Sequence, residues 1–244
     1  MKKSIVMMTV AVASAVSVQA ADVSAYVDFA SAYVFRGVTL NNGLVMQPGL
    51  EASGFAVPEE YGSVAVGIWG NYDINNIRDN TGKETGDFSR IDYYVSYSLP
   101  VDAMDVSVGY IEYTYPNGGT SDKELNLTLG SALGTNGLYA SFGINYGVGG
   151  EIDDTWYIQP ALSYETDISD ALFASAGVSV GYVVDGDTTG FNDATASLGL
   201  DYALNDNWSV SAGLTYIAQL DEAVLNDDDY DVAVVGTVGV GCDF

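Results

Sequence analysis

The stretch Leu138-Tyr139-Ala140-Ser141-Phe142-Gly143-Ile144-Asn145-Tyr146-Gly147-Val148 decides the fold. Its even positions carry Leu, Ala, Phe, Ile, Tyr and Val, and its odd positions Tyr, Ser, Gly, Asn and Gly. Successive side chains of a strand point to opposite faces, so this segment has one apolar face and one small or polar face. The pattern recurs in both directions. Trp208, Val210, Ala212, Leu214 and Tyr216 alternate with Ser209, Ser211, Gly213 and Thr215, and Val64, Val66 and Ile68 with Ser63, Ala65, Gly67 and Trp69.

Twelve such strands are expected, near 22–35, 44–54, 63–72, 88–98, 104–115, 123–132, 138–148, 156–165, 171–182, 194–202, 208–219 and 230–244. The connections after odd-numbered strands are mostly longer than those after even ones, the asymmetry of a membrane barrel with tight inner turns and longer outer loops. Aromatic residues on the apolar parity collect at strand ends. Tyr33, Phe35, Tyr72, Tyr146, Trp156, Tyr182, Tyr216 and Tyr230 fall at outer ends, and Tyr97, Tyr164, Tyr202, Trp208 and Phe244 at inner ends. Two interfacial girdles around an aliphatic band suit lipid, whereas a soluble sandwich has no reason to sort its aromatics this way. Gly, Ser, Thr and Asn on the other parity cannot fill an interior by themselves. The expected fold is all-β, a transmembrane antiparallel up-and-down β-barrel of about 12 strands in the cell outer membrane.

Met1-Lys2-Lys3-Ser4 is a basic start, Ile5 to Val18 an apolar and small run, and Val18-Gln19-Ala20 a small-residue cleavage signal. These imply a signal peptide over 1–20 and a barrel over 21–244. Removing Lys2 and Lys3 leaves five bases, Arg36, Arg78, Lys83, Arg90 and Lys123, against 33 acids, a formal charge of 5 − 33 = −28. Nucleic acid is thereby excluded as a partner, because a polyanion needs clustered bases. The absence of histidine removes the usual base for a serine nucleophile, and no enzyme activity is expected. The acidic segments at 151–154, 185–187 and 227–229 lack the spacing of a dedicated calcium loop, so neither metal nor cofactor is expected. Cys242 has no second cysteine to pair with and, on the outward parity, reads as a small apolar side chain.

Two terminal motifs are more specific. Thr237, Gly239, Cys242 and Phe244 form a pattern that resembles the terminal signal read by barrel-assembly machinery, an expected partner beside outer-membrane lipid. Ser31-Ala32-Tyr33-Val34-Phe35-Arg36-Gly37 closes the first expected strand. With the leader, the length and Phe244, it resembles the TorF-type family of bacterial outer-membrane porins. The specific likeness covers about the first thirty residues after the leader. It implies a porin-like barrel and no catalytic residues.

The inward parity supplies the candidate lumen and constriction residues: Asp28, Arg36, Glu51, Trp69, Arg90, Asp92, Glu124, Glu165 and Asp201. Arg36 is expected near the outer mouth, pairing with lumen acids either to shape a constriction or to fix the first hairpin. Tyr26, Tyr94, Tyr139, Tyr157 and Phe173 share the parity and either contact solutes or pack the lumen shut. Only the loop 73–87 is long enough to fold into the mouth. A lumen lined by acids concentrates cations, so the expected function is a cation-preferring channel for passive diffusion of small solutes or ions. The alternative is a closed barrel with a structural, adhesion or partner-binding role.

Overall fold

The computed structural model describes residues 21–55, 57–75 and 86–244. The expected leader, Arg78 and Lys83 lie outside the described residues. The chain runs through β1 (Asp22–Ala30), β2 (Tyr33–Phe35), β3 (Val38–Asn41), β4 (Val45–Phe55), β5 (Ser63–Asp73), β6 (Asp87–Leu99) and β7 (Asp105–Thr114). It continues through β8 (Asp122–Ala132), β9 (Leu138–Gly149), β10 (Trp156–Asp167), β11 (Leu172–Asp185), β12 (Thr188–Ala203), β13 (Trp208–Gln219) and β14 (Val234–Asp243). Apart from β2 and β3, every strand pairs antiparallel with two neighbours, giving a closed barrel of 12 strands. β14 returns to β1, with Val240 opposite Val27 and Gly239 opposite Asp28. No barrel edge is left to be hydrogen-bonded by solvent, as the absence of water in hydrocarbon requires.

Burial is inverted relative to a soluble protein. Leu162, Val178, Leu198, Leu214 and Val238, in the middle of the outer wall, are between 45% and 62% exposed. The outer girdle is built from cross-strand pairs: Tyr146 and Trp156 have ring centroids 4.4 Å apart, Tyr182 and Phe191 5.3 Å, and Tyr72 and Phe88 5.3 Å. Tyr164, Tyr202, Trp208 and Phe244 are exposed at the inner end. An aliphatic belt between two aromatic rims is a bilayer-spanning surface, and the chain is an outer-membrane barrel.

On the lumen side, glycine makes room for tyrosine. Tyr26 lies opposite Gly49, and Tyr94 opposite Gly67. A Cβ at Gly49 would stand 2.2 Å from Tyr26 Cζ, and one at Gly67 2.2 Å from Tyr94 Cζ. The ring therefore lies flat over the neighbouring strand, and the small parity read from the sequence is a packing surface as well as a lining.

Three expectations are corrected. The first strand, expected to run to Phe35, leaves the barrel at Ala30; Tyr33 and Phe35, expected on the lipid face, turn inward. The loop expected over 183–193 is mostly strand, because Gly186 and Asp187 suffice to join β11 to β12. Gly186 takes a φ of 53°, which a two-residue hairpin turn demands. The last strand begins at Val234, and Tyr230, placed in the outer girdle by the sequence, instead donates its hydroxyl to the Ile217 carbonyl at 2.7 Å.

Gly67→Ala is expected to lower unfolding stability by about 1–3 kcal/mol through overpacking against Tyr94. Gly143→Ala, whose Cβ would meet only the Gln159 carbonyl oxygen at 3.7 Å, should be near neutral. Urea unfolding of the two refolded variants followed by tyrosine and tryptophan fluorescence makes the comparison.

Candidate functional site

The lumen is built around the segment between β1 and β4. Phe35 pairs with Val38, leaving Arg36 and Gly37 as a two-residue turn with φ values of 50° and 80°. Positive φ at both central residues is the type I′ hairpin turn, whose twist suits two short antiparallel strands. Arginine in the left-handed region costs about 1–2 kcal/mol, so something must hold Arg36 there. β2 and β3 pair only with each other, in a two-stranded sheet separate from the barrel ladder.

The base of this hairpin is fixed by apolar packing. Tyr33, 5% exposed, tilts against Trp69 of β5 with centroids 5.7 Å apart. Ala30, Ala32, Val45, Ile217 and Val235 complete the cluster. Tyr33 and Phe35 thus follow the hairpin into the barrel rather than continuing the β1 face, because the chain leaves the ladder at Ala30.

The tip is fixed by charge. Arg36 Nη1 and Nη2 donate to the two carboxylate oxygens of Glu124 on β8 at 2.7 and 2.9 Å. Tyr113 of β7 donates its hydroxyl to the same carboxylate at 3.0 Å. The guanidinium carbon lies 4.3 Å from the centre of the Tyr157 ring on β10, and Asn192 of β12 donates to the Arg36 carbonyl at 2.7 Å. Burial works against the Arg36 charge, but the Glu124 carboxylate more than offsets it and raises the guanidinium pKa above its ordinary value. Beside this pair, Arg90 of β6 holds Asp92 through Nε and Nη2 at 2.6 and 2.8 Å. Phe35 links the two: its ring stands edge-on to Tyr113 at 5.8 Å and lies 4.2 Å from the Arg90 guanidinium carbon.

The segment 220–233 covers the hairpin from the outside. Leu225, 2% exposed, reaches within 2.6 Å of where a Gly37 Cβ would stand. Thr39 donates its amide to the Asp229 carbonyl at 2.7 Å and accepts at Oγ1 from the Asp231 and Val232 amides. The segment seen inside the barrel is therefore 31–44; the loop that the sequence offered for that role, 73–87, lies over residues 76–85 outside the described residues. The anchoring contacts belong to 31–44, a segment that the sequence reading had placed in the wall and its following turn.

Among the sequence-derived candidates, the structure brings together Arg36 with Glu124, and Arg90 with Asp92 and Trp69. Arg90 stands 5.9 Å from the Trp69 ring. Glu51 accepts from the Tyr94 hydroxyl at 3.0 Å. Asp28, opposite Gly239, and Glu165 and Asp201, toward the inner mouth, stand apart from this centre. Sequence reasoning left out Tyr113, Asn192, Asp193 and Leu225. Tyr113 lay on an expected strand and its parity was readable, but Asn192, Asp193 and Leu225 fell in expected loops, and the contacts of all four depend on a hairpin that the alternation had placed in the wall.

Solved structures share this architecture. A KdgM porin in complex with disordered oligogalacturonate matches with a TM-score of 0.52 at 9% identity, covering 91% of this chain and 99% of that one. The COG4313 outer-membrane channel from Pseudomonas putida F1 matches with a TM-score of 0.56 at 5% identity over 93% and 97%. Outer membrane phospholipase A from Escherichia coli matches with a TM-score of 0.51 at 16% identity over 91% and 89%. The fold is that of outer-membrane barrels. Channels and an enzyme share it, so function has to be argued from the lumen itself. No family model matches this sequence, and no curated protein sequence does.

The two ion pairs differ in exposure, the Arg36 side chain being 21% exposed and the Arg90 side chain 5%. Asp92→Asn, which strands a buried guanidinium, should cost about 3–5 kcal/mol. Glu124→Gln should cost less, since water reaches Arg36. Urea midpoints of the two variants, compared with the parent barrel, give the order directly.

Proposed function

We propose that this chain is a narrow outer-membrane channel of the TorF type for passive diffusion of small solutes, with a preference for cations. One observation supports the preference. Arg36 and Arg90, the described bases inside the barrel, are each neutralised by a carboxylate, while Asp28, Glu51, Glu165 and Asp201 on the inward parity have no ion pair among the described residues. Lys123 alternates with Glu124 and so belongs to the outer face. The net field within the lumen is negative, which concentrates cations and repels anions. In this reading the hairpin 31–44 sets the bore, the leader over 1–20 directs export, and Thr237, Gly239, Cys242 and Phe244 serve recognition by the barrel-assembly machinery.

The closed-barrel alternative draws on the same hairpin, which touches β5, β7, β8, β10 and β12 and so crosses the lumen from wall to wall. A twelve-stranded bore is small enough for one inserted segment to block it. Conductance separates the two. Refolded protein in a planar bilayer should give discrete steps, with a reversal potential in a potassium chloride gradient of the sign for cation selectivity. Asp28→Asn combined with Asp201→Asn should move that potential toward zero. Replacing residues 34–39 by two glycines should raise the step size several-fold. Properly folded barrels without steps would sink the channel reading, and an anion-selective potential the cation preference.

A further inference from the structure

The contacts of Arg36 describe a site as well as a strut. The wall supplies Glu124, Tyr113 and Tyr157, which are 2%, 4% and 3% exposed. They come from β8, β7 and β10, three strands of the closed ladder, and none belongs to the hairpin that carries the arginine. Glu124 offers both oxygens in the geometry that fits the parallel N–H groups of a guanidinium. The Tyr113 hydroxyl, bound to the same carboxylate, fixes its orientation. The Tyr157 face, 4.3 Å from the guanidinium carbon, adds the attraction of an aromatic ring for a cation. A second hydrogen bond holds Tyr157, whose hydroxyl donates to Asp193 at 2.9 Å. Each of these groups reads a planar cation without reference to what carries it.

We propose that Glu124, Tyr113 and Tyr157 form a binding site for solutes bearing a guanidinium group, occupied in this structure by the chain's own Arg36. The site rests on the channel reading only for the origin of its solute, which reaches it through the lumen. Because Arg36 is tethered, it competes at a high effective concentration, and a free solute binds the parent protein weakly. An occupied site displaces the Arg36 guanidinium from Glu124, while Asn192 and the Thr39 contacts with 229–232 still hold the backbone of the tip. The base, packed on Trp69, stays in place.

Arg36→Gly tests the site while easing the turn, since glycine takes a positive φ at no steric cost. Arg36→Asn, which creates the favoured Asn-Gly turn pair, asks the same question if the glycine variant fails to fold. Folding is scored by the heat-dependent mobility of the barrel in a detergent gel, and binding by the midpoint of thermal unfolding. Methylguanidinium chloride at millimolar concentration should raise the midpoint of Arg36→Gly saturably, as ligand linkage requires. The response should be at least tenfold weaker in the parent protein and absent in the Arg36→Gly, Glu124→Gln double variant. Sodium chloride at equal ionic strength should leave all three unchanged. A folded Arg36→Gly or Arg36→Asn barrel with no saturable shift would overturn the site, as would an equal shift in the double variant. A barrel that binds methylguanidinium but passes no current in the bilayer leaves the site standing and overturns the channel reading alone.

Discussion

An amide or carbonyl in hydrocarbon has no water to fall back on, and an open sheet edge would expose a row of both. β14 removes that edge by pairing with β1, from Asp243 opposite Ser24 to Thr237 opposite Ala30. Once the cylinder is closed, the alternation of side chains is no longer free. One parity must meet lipid and the other must meet whatever fills the bore. Leucine and valine in the middle of the outer wall and aromatics at its rims follow from the first requirement. Glycine beneath Tyr26 and Tyr94 follows from the second, because a cylinder of this size has no room for a large side chain from both neighbouring strands.

The same closure explains why the inserted hairpin is held by side chains. Each barrel strand is already paired on both sides, so β2 and β3 have no edge to join and pair with each other. Their attachment divides into two kinds of contact. At the base, Tyr33, Trp69 and the surrounding alanines and valines exclude water. At the tip, the Arg36–Glu124 pair crosses from the hairpin to the wall and provides the directional contact, and Phe35 rests against the Arg90 guanidinium that Asp92 holds on β6. Apolar packing is indifferent to orientation, whereas a bidentate pair fixes both position and angle. The hairpin is thus rooted by the first kind and aimed by the second.

Much of the barrel was legible because alternation is a local signal. Strands β5 to β11 and β13 lie close to their expected positions since each carries its own period of two and its own turn residues. The hairpin was not read, although two local signs were present. A strand over 22–35 is longer than the 9–11 residues a tilted membrane strand needs. Val34-Phe35-Arg36-Gly37-Val38-Thr39 also has the form of two apolar runs parted by a two-residue turn ending in glycine. Continuous parity concealed both, because Tyr33 and Phe35 share the outward parity of Val27 and Phe29, with only Ser31 between them. What no local pattern contained was the partner of Arg36. Glu124 is 88 residues away, and several other inward acids had an equal claim on that base. Only the register and the depth of the hairpin select it.

The turn itself carries the clearest sign that the tip is more than a structural filler. Asparagine or glycine at position 36 would satisfy a type I′ turn without strain, yet the chain places arginine there with a φ of 50°. Local preference and long-range contact disagree at this residue. Such disagreements persist where the surroundings over-determine the conformation, and they gather at sites with a role beyond folding. Here the surroundings are Glu124, Tyr113, Tyr157 and Asn192, four residues from four different wall strands. A hairpin needed only to narrow the bore would be served by any bulky apolar tip. A charged tip, seated in a recess of Glu124, Tyr113 and Tyr157 and balanced by a carboxylate, has a fixed position and angle that an apolar tip would lack.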